Sequence, residues 1–202
     1  MIEQCQEAGT KVRPSSVASR LDLKGAKVLA VDDNPQSLAI LVQTLLGFGV
    51  RDPTQVRNGP DAMRLLASET FDVVIVDGEM PDQDGFDLAQ AIRRETSGAN
   101  YTVPIMLLTS FTPRHKVMRA RDVGINLVVT KPIVPSALLA RLEWLARNNR
   151  QFVTSDGYCG PDRRFKKKPL PEGITERRAD EIKLVAQPER AMSQDEIDSV
   201  FG

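Results

Sequence analysis

Apolar runs that do not alternate with polar residues recur through residues 26 to 150, each followed by helical spacing. Lys27-Val28-Leu29-Ala30-Val31 is the first; after it Leu38, Leu41, Val42, Leu45 and Leu46 line one face of a helix. Phe71 to Val76 precedes Phe86, Ala89 and Ile92, and Pro104 to Leu108 precedes a helix expected from about Pro113 to Asp122. Leu127-Val128-Val129 precedes Leu138, Leu142 and Leu145. A weaker strand is expected from about Arg51 to Gln55, made irregular by Pro53, with a helix opening at Gly59-Pro60. Strands without polar alternation are buried on both faces, as in a parallel sheet covered by helices. The expected class is α/β: a doubly wound, five-stranded parallel sheet with helices on both faces.

Parallel strands all end on one side, and sites in such sheets lie outside the carboxyl ends. Asp32 and Asp33 close the first run, Asp77 the third, Thr109 and Ser110 the fourth, and Lys131 the fifth. The third run continues into Asp77-Gly78-Glu79-Met80-Pro81-Asp82-Gln83-Asp84-Gly85, which taken alone fits a turn, a calcium loop or a reactive carboxylate. Carboxylates brought within ~5 Å of one another repel by several kcal/mol at an effective dielectric of ~20. A hard divalent cation relieves that repulsion, and an all-oxygen set suits Mg²⁺ or Mn²⁺. A metal, a lysine and a hydroxyl suit an incoming phosphoryl group, with Asp77 at the centre as the nucleophile. The sole histidine, His115, lies between Arg114 and Lys116 and is expected to be exposed.

The stretches VLAVDD, DVVIVDGEMPDQDG, PIMLLTS and VVTKP stand in this order over about 125 residues. Together they resemble the receiver domain of two-component response regulators, the CheY-like family, whose fold is flavodoxin-like. The resemblance implies Asp77 as phosphoacceptor, Thr109 as switching hydroxyl and Lys131 as phosphate-binding lysine, with a cis Lys131-Pro132 bond. It implies Mg²⁺ held by Asp33, Asp77 and the backbone carbonyl of Glu79, Asp32 acting partly through water. It implies a sensor histidine kinase or phosphotransfer protein as partner. Two departures bear on switching. Val128 replaces the aromatic residue usual three positions before the lysine, and Glu79 stands two beyond the acceptor, where side chains tune acyl-phosphate hydrolysis.

Outside this region the composition changes. Residues 1–25 are polar and expected to be a disordered arm. Residues 151–191 read as a basic linker. Gly157, Gly160, Pro161, Pro169, Pro171 and Gly173 exclude helix and strand through 175, and a short helix could form near 176–187. Arginine forks in the linker suit carboxylates or phosphates. Residues 192–202 carry a capping box from Ser193 to Glu196, with Ile197, Val200 and Phe201 as an apolar stripe. This segment resembles the receiver-binding end of the flagellar motor switch protein. It implies docking on the chain's own or a second receiver through Ile197, Val200 and Phe201, and partners among flagellar motor or chemotaxis components.

Composition narrows the alternatives. Net charge is zero, which excludes nucleic-acid binding over the whole surface, and no helix-turn-helix spacing follows residue 150. No apolar run reaches ~18 residues and the N-terminus lacks a signal-peptide pattern, so a cytoplasmic, non-membrane protein is expected. Two cysteines, Cys5 and Cys159, form no disulfide framework. The expectation is a phospho-accepting signalling protein, not an enzyme, whose output is a protein contact. A metal-dependent phosphatase and an arginine-rich adaptor for a cyclic dinucleotide are the competing readings.

Overall fold

The computed structural model describes residues 22–81, 83–147, 152–155, 158–162 and 191–201. The expected arm lies almost wholly outside these residues, as do Cys5, most of the basic linker and the short helix considered near 176–187.

The elements in order are β1 (Val28–Val31), α1 (Pro35–Gly47), β2 (Thr54–Val56), α2 (Gly59–Ser68), β3 (Val73–Asp77), α3 (Gly85–Arg94), β4 (Ile105–Thr109), α4 (Arg114–Asp122), β5 (Leu127–Thr130), α5 (Pro135–Arg147), β6 (Phe152–Ser155), β7 (Tyr158–Pro161) and α6 (Gln194–Phe201). The first five strands form one sheet in the order β2-β1-β3-β4-β5, every pair parallel. The crossover from β1 to β2 runs opposite to the next three. Right-handed connections therefore place α1 on one face and α2, α3 and α4 on the other. β1, β3 and β4 are buried along their whole length, as continuous apolar runs require. β2 starts later than expected, at Thr54, because Pro53 cannot donate to the ladder.

Helix starts are set locally. Asn34 accepts from the Gln36 and Ser37 amides and Pro35 takes the first turn of α1, while Asp84 accepts from the Asp87 amide at the start of α3. Gly85 lets α3 begin against β3; a Cβ there would collide with the Asp77 carbonyl oxygen.

The expectation that residues 151–175 hold no strand is wrong. β6 and β7 pair antiparallel, with Ser155 opposite Tyr158. Gly160 suits this strand because its backbone meets Gly124: a Cβ would lie 2.7 Å from the Gly124 Cα. The hairpin also covers Arg93, the charged residue at the end of α3, which is only 2% exposed. Its guanidinium donates to the carbonyls of Gly124 (3.0 Å), Tyr101 (2.7 Å) and Val103 (2.8 Å) and to Asn126 Oδ1 (3.0 Å). The Phe152 ring centre lies 5.0 Å from its Cζ, and burial lowers its pKa to about 10. The folded body thus continues past residue 150.

α6 packs against β5 and α4. Ile197 and Phe201 are buried, and Val200 is half-buried against the same core. Both halves of the capping box form: the Ser193 amide donates to Glu196 Oε2 (2.7 Å) and the Glu196 amide to Ser193 Oγ (3.3 Å). Among the described residues no helix is long and apolar enough to cross a membrane.

Candidate functional site

The register that pairs Val31 with Val76 sets Asp32 level with Asp77 at the carboxyl ends of β1 and β3. Thr109 and Thr130 pair at the ends of β4 and β5, with Lys131 next in the chain. Asp32, Asp33, Asp77, Thr109 and Lys131 therefore all stand at the same edge of the sheet. One carboxylate oxygen from each of Asp32, Asp33 and Asp77 lies within 4.8 Å of the others. Asp32 and Asp77 are buried, Asp33 half-buried.

Lys131 is the cation that reaches into this cluster. Its Nζ donates to Asp32 Oδ2 and to Asp77 Oδ1, each at 3.0 Å, and to Ser37 Oγ at 3.3 Å. Burial pushes the Asp77 carboxyl above the usual carboxylate range; the Lys131 bond and the Glu79 amide pull it back, and the Asp32 charge adds to the rise. Burial acts to lower the Lys131 pKa, but the Asp77 and Asp32 carboxylates outweigh it and leave the ammonium above its ordinary value. Such a group of clustered oxygen ligands fits a hard divalent cation such as Mg²⁺.

The remaining residues are placed as follows. Thr109 is buried; its hydroxyl donates to the Phe111 carbonyl (3.1 Å) and accepts from the Phe111 amide (3.3 Å). The Glu79 carboxylate meets Lys116 Nζ of α4 at 3.1 Å, so α4 engages it. The Lys131-Pro132 bond is cis. His115 is exposed on α4. A cleft of about 910 Å³ opens beside Asp33, lined by Arg57, Asn58, Met80, Pro81 and Gln83 among others.

Ile197, Val200 and Phe201 sit away from the carboxylates, on the α4–β5 side, where α6 makes two kinds of contact. Ahead of the helix, the Met192 amide donates to the Thr112 carbonyl (2.7 Å), Thr112 Oγ1 donates to the Met192 carbonyl (2.8 Å), and Ala191 bridges Pro113. These bonds hold the loop that follows Thr109. At its first turn, Gln194 caps the open edge of β5. Its Nε2 donates to the Val128 carbonyl (2.9 Å) and its Oε1 accepts from the Thr130 amide (2.9 Å), as a neighbouring strand would. Asp198 pairs with Arg141 of α5. Val128 itself is buried. Sequence reasoning singled out neither Ser37 nor Gln194. For Ser37 the available signal was its place one turn beyond Asp32 behind an Asn cap; for Gln194 there was none.

Residues 28–143 match the family described as response regulator receiver domain. The chain is 30% identical over 124 residues to the chemotaxis protein CheY1 of Helicobacter pylori, covering 61% of this chain and 98% of that protein. It is 33% identical over 155 residues to the sensor protein GacS of Pseudomonas syringae, covering 73% of this chain but only 17% of the sensor's length. Among solved structures, the Vibrio cholerae chemotaxis protein CheY4 superposes with a TM-score of 0.55 at 32% identity, covering 59% of this chain and 98% of that one. The receiver domain of the Arabidopsis thaliana histidine kinase CKI1, complexed with Mg²⁺, superposes with a TM-score of 0.54 at 26% identity, covering 60% and 93%.

Proposed function

The chain belongs to the response regulator receiver family of two-component signalling, and on that premise we propose that Asp77 is its phosphoacceptor. The observation that carries this is the Lys131 ammonium bonded at once to Asp77 and Asp32, inside a three-carboxylate cluster at the strand ends. An Asp77 carboxylate oxygen attacks phosphorus, a P–O bond forms, and the bond to the donor's leaving group breaks with its electron pair leaving on the donor. Lys131 exchanges one of its acceptors for a phosphoryl oxygen, and Thr109 exchanges its Phe111 bonds for another. Asp32, Asp33, Asp77 and the Glu79 backbone carbonyl would hold Mg²⁺, which supplies charge neutralisation for the crowded oxygens. The CKI1 receiver crystallised with Mg²⁺ supports this choice of ion.

The donor is a sensor histidine kinase or a phosphotransfer protein, and the cleft beside Asp33 gives it room to approach. The output is a protein contact at the face of α4, β5 and α5, where α6 docks through Ile197, Val200 and Phe201. The chain's own or a second copy's α6, or a flagellar motor or chemotaxis component, takes that face. Incubation with acetyl phosphate and Mg²⁺ should label the protein once, and Asp77→Asn should abolish the label. Undiminished labelling of that variant sinks the assignment.

A further inference from the structure

Ser37 joins the lysine to the carboxylate beside it. Its Oγ donates to Asp32 Oδ2 at 2.6 Å and accepts from Lys131 Nζ at 3.3 Å, while Lys131 also donates to the same Asp32 oxygen. Serine, aspartate and lysine thus close a ring of three hydrogen bonds. The placement is local in origin. Asn34 caps α1 and Pro35 opens it, so Ser37 is the third helical residue. Side chains in a helix tilt toward its N-terminus, which turns this one back to the end of β1.

We propose that Ser37 is a positioning residue for phosphoryl transfer, working through Lys131 and Asp32. This rests on Asp77 being the acceptor. An ammonium has three protons, and Lys131 gives them to Asp32, Asp77 and Ser37. To bond an incoming phosphoryl oxygen it must release one acceptor. If it releases Asp32, the 1%-exposed carboxylate still keeps the Ser37 hydroxyl on Oδ2 and the Asn34 amide (2.9 Å) on Oδ1. Without Ser37 the swing would leave Oδ2 of this buried carboxylate with no protein donor, which is costly, and Ser37 removes that obstacle. If Lys131 releases Asp77 instead, Ser37 and Asp32 hold its nitrogen beside the acceptor. A hydroxyl is suited to both tasks because it donates and accepts at one atom. Alanine does neither; threonine does both.

The test follows labelling of Asp77 against acetyl phosphate concentration, with Mg²⁺, in the full chain. Ser37→Ala should lower the saturating rate about tenfold, the scale of one hydrogen bond to a charged group. The half-saturating concentration should stay unchanged and Ser37→Thr should restore the rate. In a Lys131→Ala background, Ser37→Ala should add little, because both act through one ammonium. In metal-free wild type the Lys131 ammonium protons should give an NMR signal slowed by three acceptors, and Ser37→Ala should broaden it away. A Ser37→Ala protein that labels at the wild-type rate overturns the proposal. So does a threonine variant as slow as alanine, or a full additive loss without Lys131. Wild type that takes no label at Asp77 would instead overturn the underlying assignment.

Discussion

Phe201 is the deepest aromatic anchor of α6, at 2% exposure, and its replacement by alanine isolates what holds that helix on the receiver. Truncating a buried phenylalanine costs about 3–5 kcal/mol. Two amide protons report the docked state alone: Met192 N–H on the Thr112 carbonyl and Thr130 N–H on the Gln194 side chain. Both should exchange through local opening of α6 rather than global unfolding. A loss of ~3 kcal/mol accelerates such exchange about 100-fold, up to the rate of the wholly undocked segment. The Gly78 amide, bonded to the Leu108 carbonyl at 2.7 Å inside the sheet, is the internal control and should not change. Amide exchange by NMR at neutral pH on wild type and Phe201→Ala reads all three positions at once. Acceleration below about fivefold at both reporters, with Gly78 unchanged, would refute the reasoning. Equal acceleration of all three would place Phe201 in the global core instead.

Asp77→Asn should raise the melting temperature of the metal-free protein at neutral pH. Burial leaves the folded-state carboxyl above its value of 3.8, so the folded chain holds this proton more tightly than the unfolded one. That contribution is complete below the unfolded pKa and lost as pH rises through the folded one, so the gain from asparagine should shrink on acidification. A gain that is constant with pH contradicts this. Asp33→Ala should weaken Mg²⁺ binding far more than Glu79→Ala, whose carboxylate is engaged by Lys116; calorimetry giving equal losses would make the Glu79 side chain a ligand. Arg93→Lys should lower stability by about 3 kcal/mol, since an ammonium cannot serve four fixed acceptors in a fork. A urea midpoint unchanged from wild type would show that the hairpin does not depend on the guanidinium.

The strand-end residues were legible because a parallel sheet converts chain order into position. Once the apolar runs are strands, Asp32, Asp77, Thr109 and Lys131 must share one edge. Arg93, Ser37 and Gln194 were not, for a common reason. Each is a polar residue on a helix, and its partners lie far off in the chain: Arg93 meets Gly124, Ser37 meets Lys131, and Gln194 meets Thr130. Periodicity reports which face is apolar, not which polar side chain a remote carbonyl will claim. The hairpin was hidden by its own enabling residues. Gly160 and Pro161 read as strand breakers, whereas the glycine is what permits backbone contact with Gly124.

The distances along the chain between α6 and its receptor surface fix when it can form. Thr112 and Met192 are 80 positions apart, Thr130 and Gln194 64. Bringing together residues 64 positions apart costs on the order of 4 kcal/mol in chain entropy. Nothing offsets that cost until β4 and β5 exist to receive Ile197 and Phe201. The helix can therefore dock only once that receptor surface is in place. Its departure frees the loop of Thr112 and Pro113, directly downstream of Thr109. Docking of α6 and the placement of the segment just beyond Thr109 are thus linked, so whatever captures the helix also releases that segment.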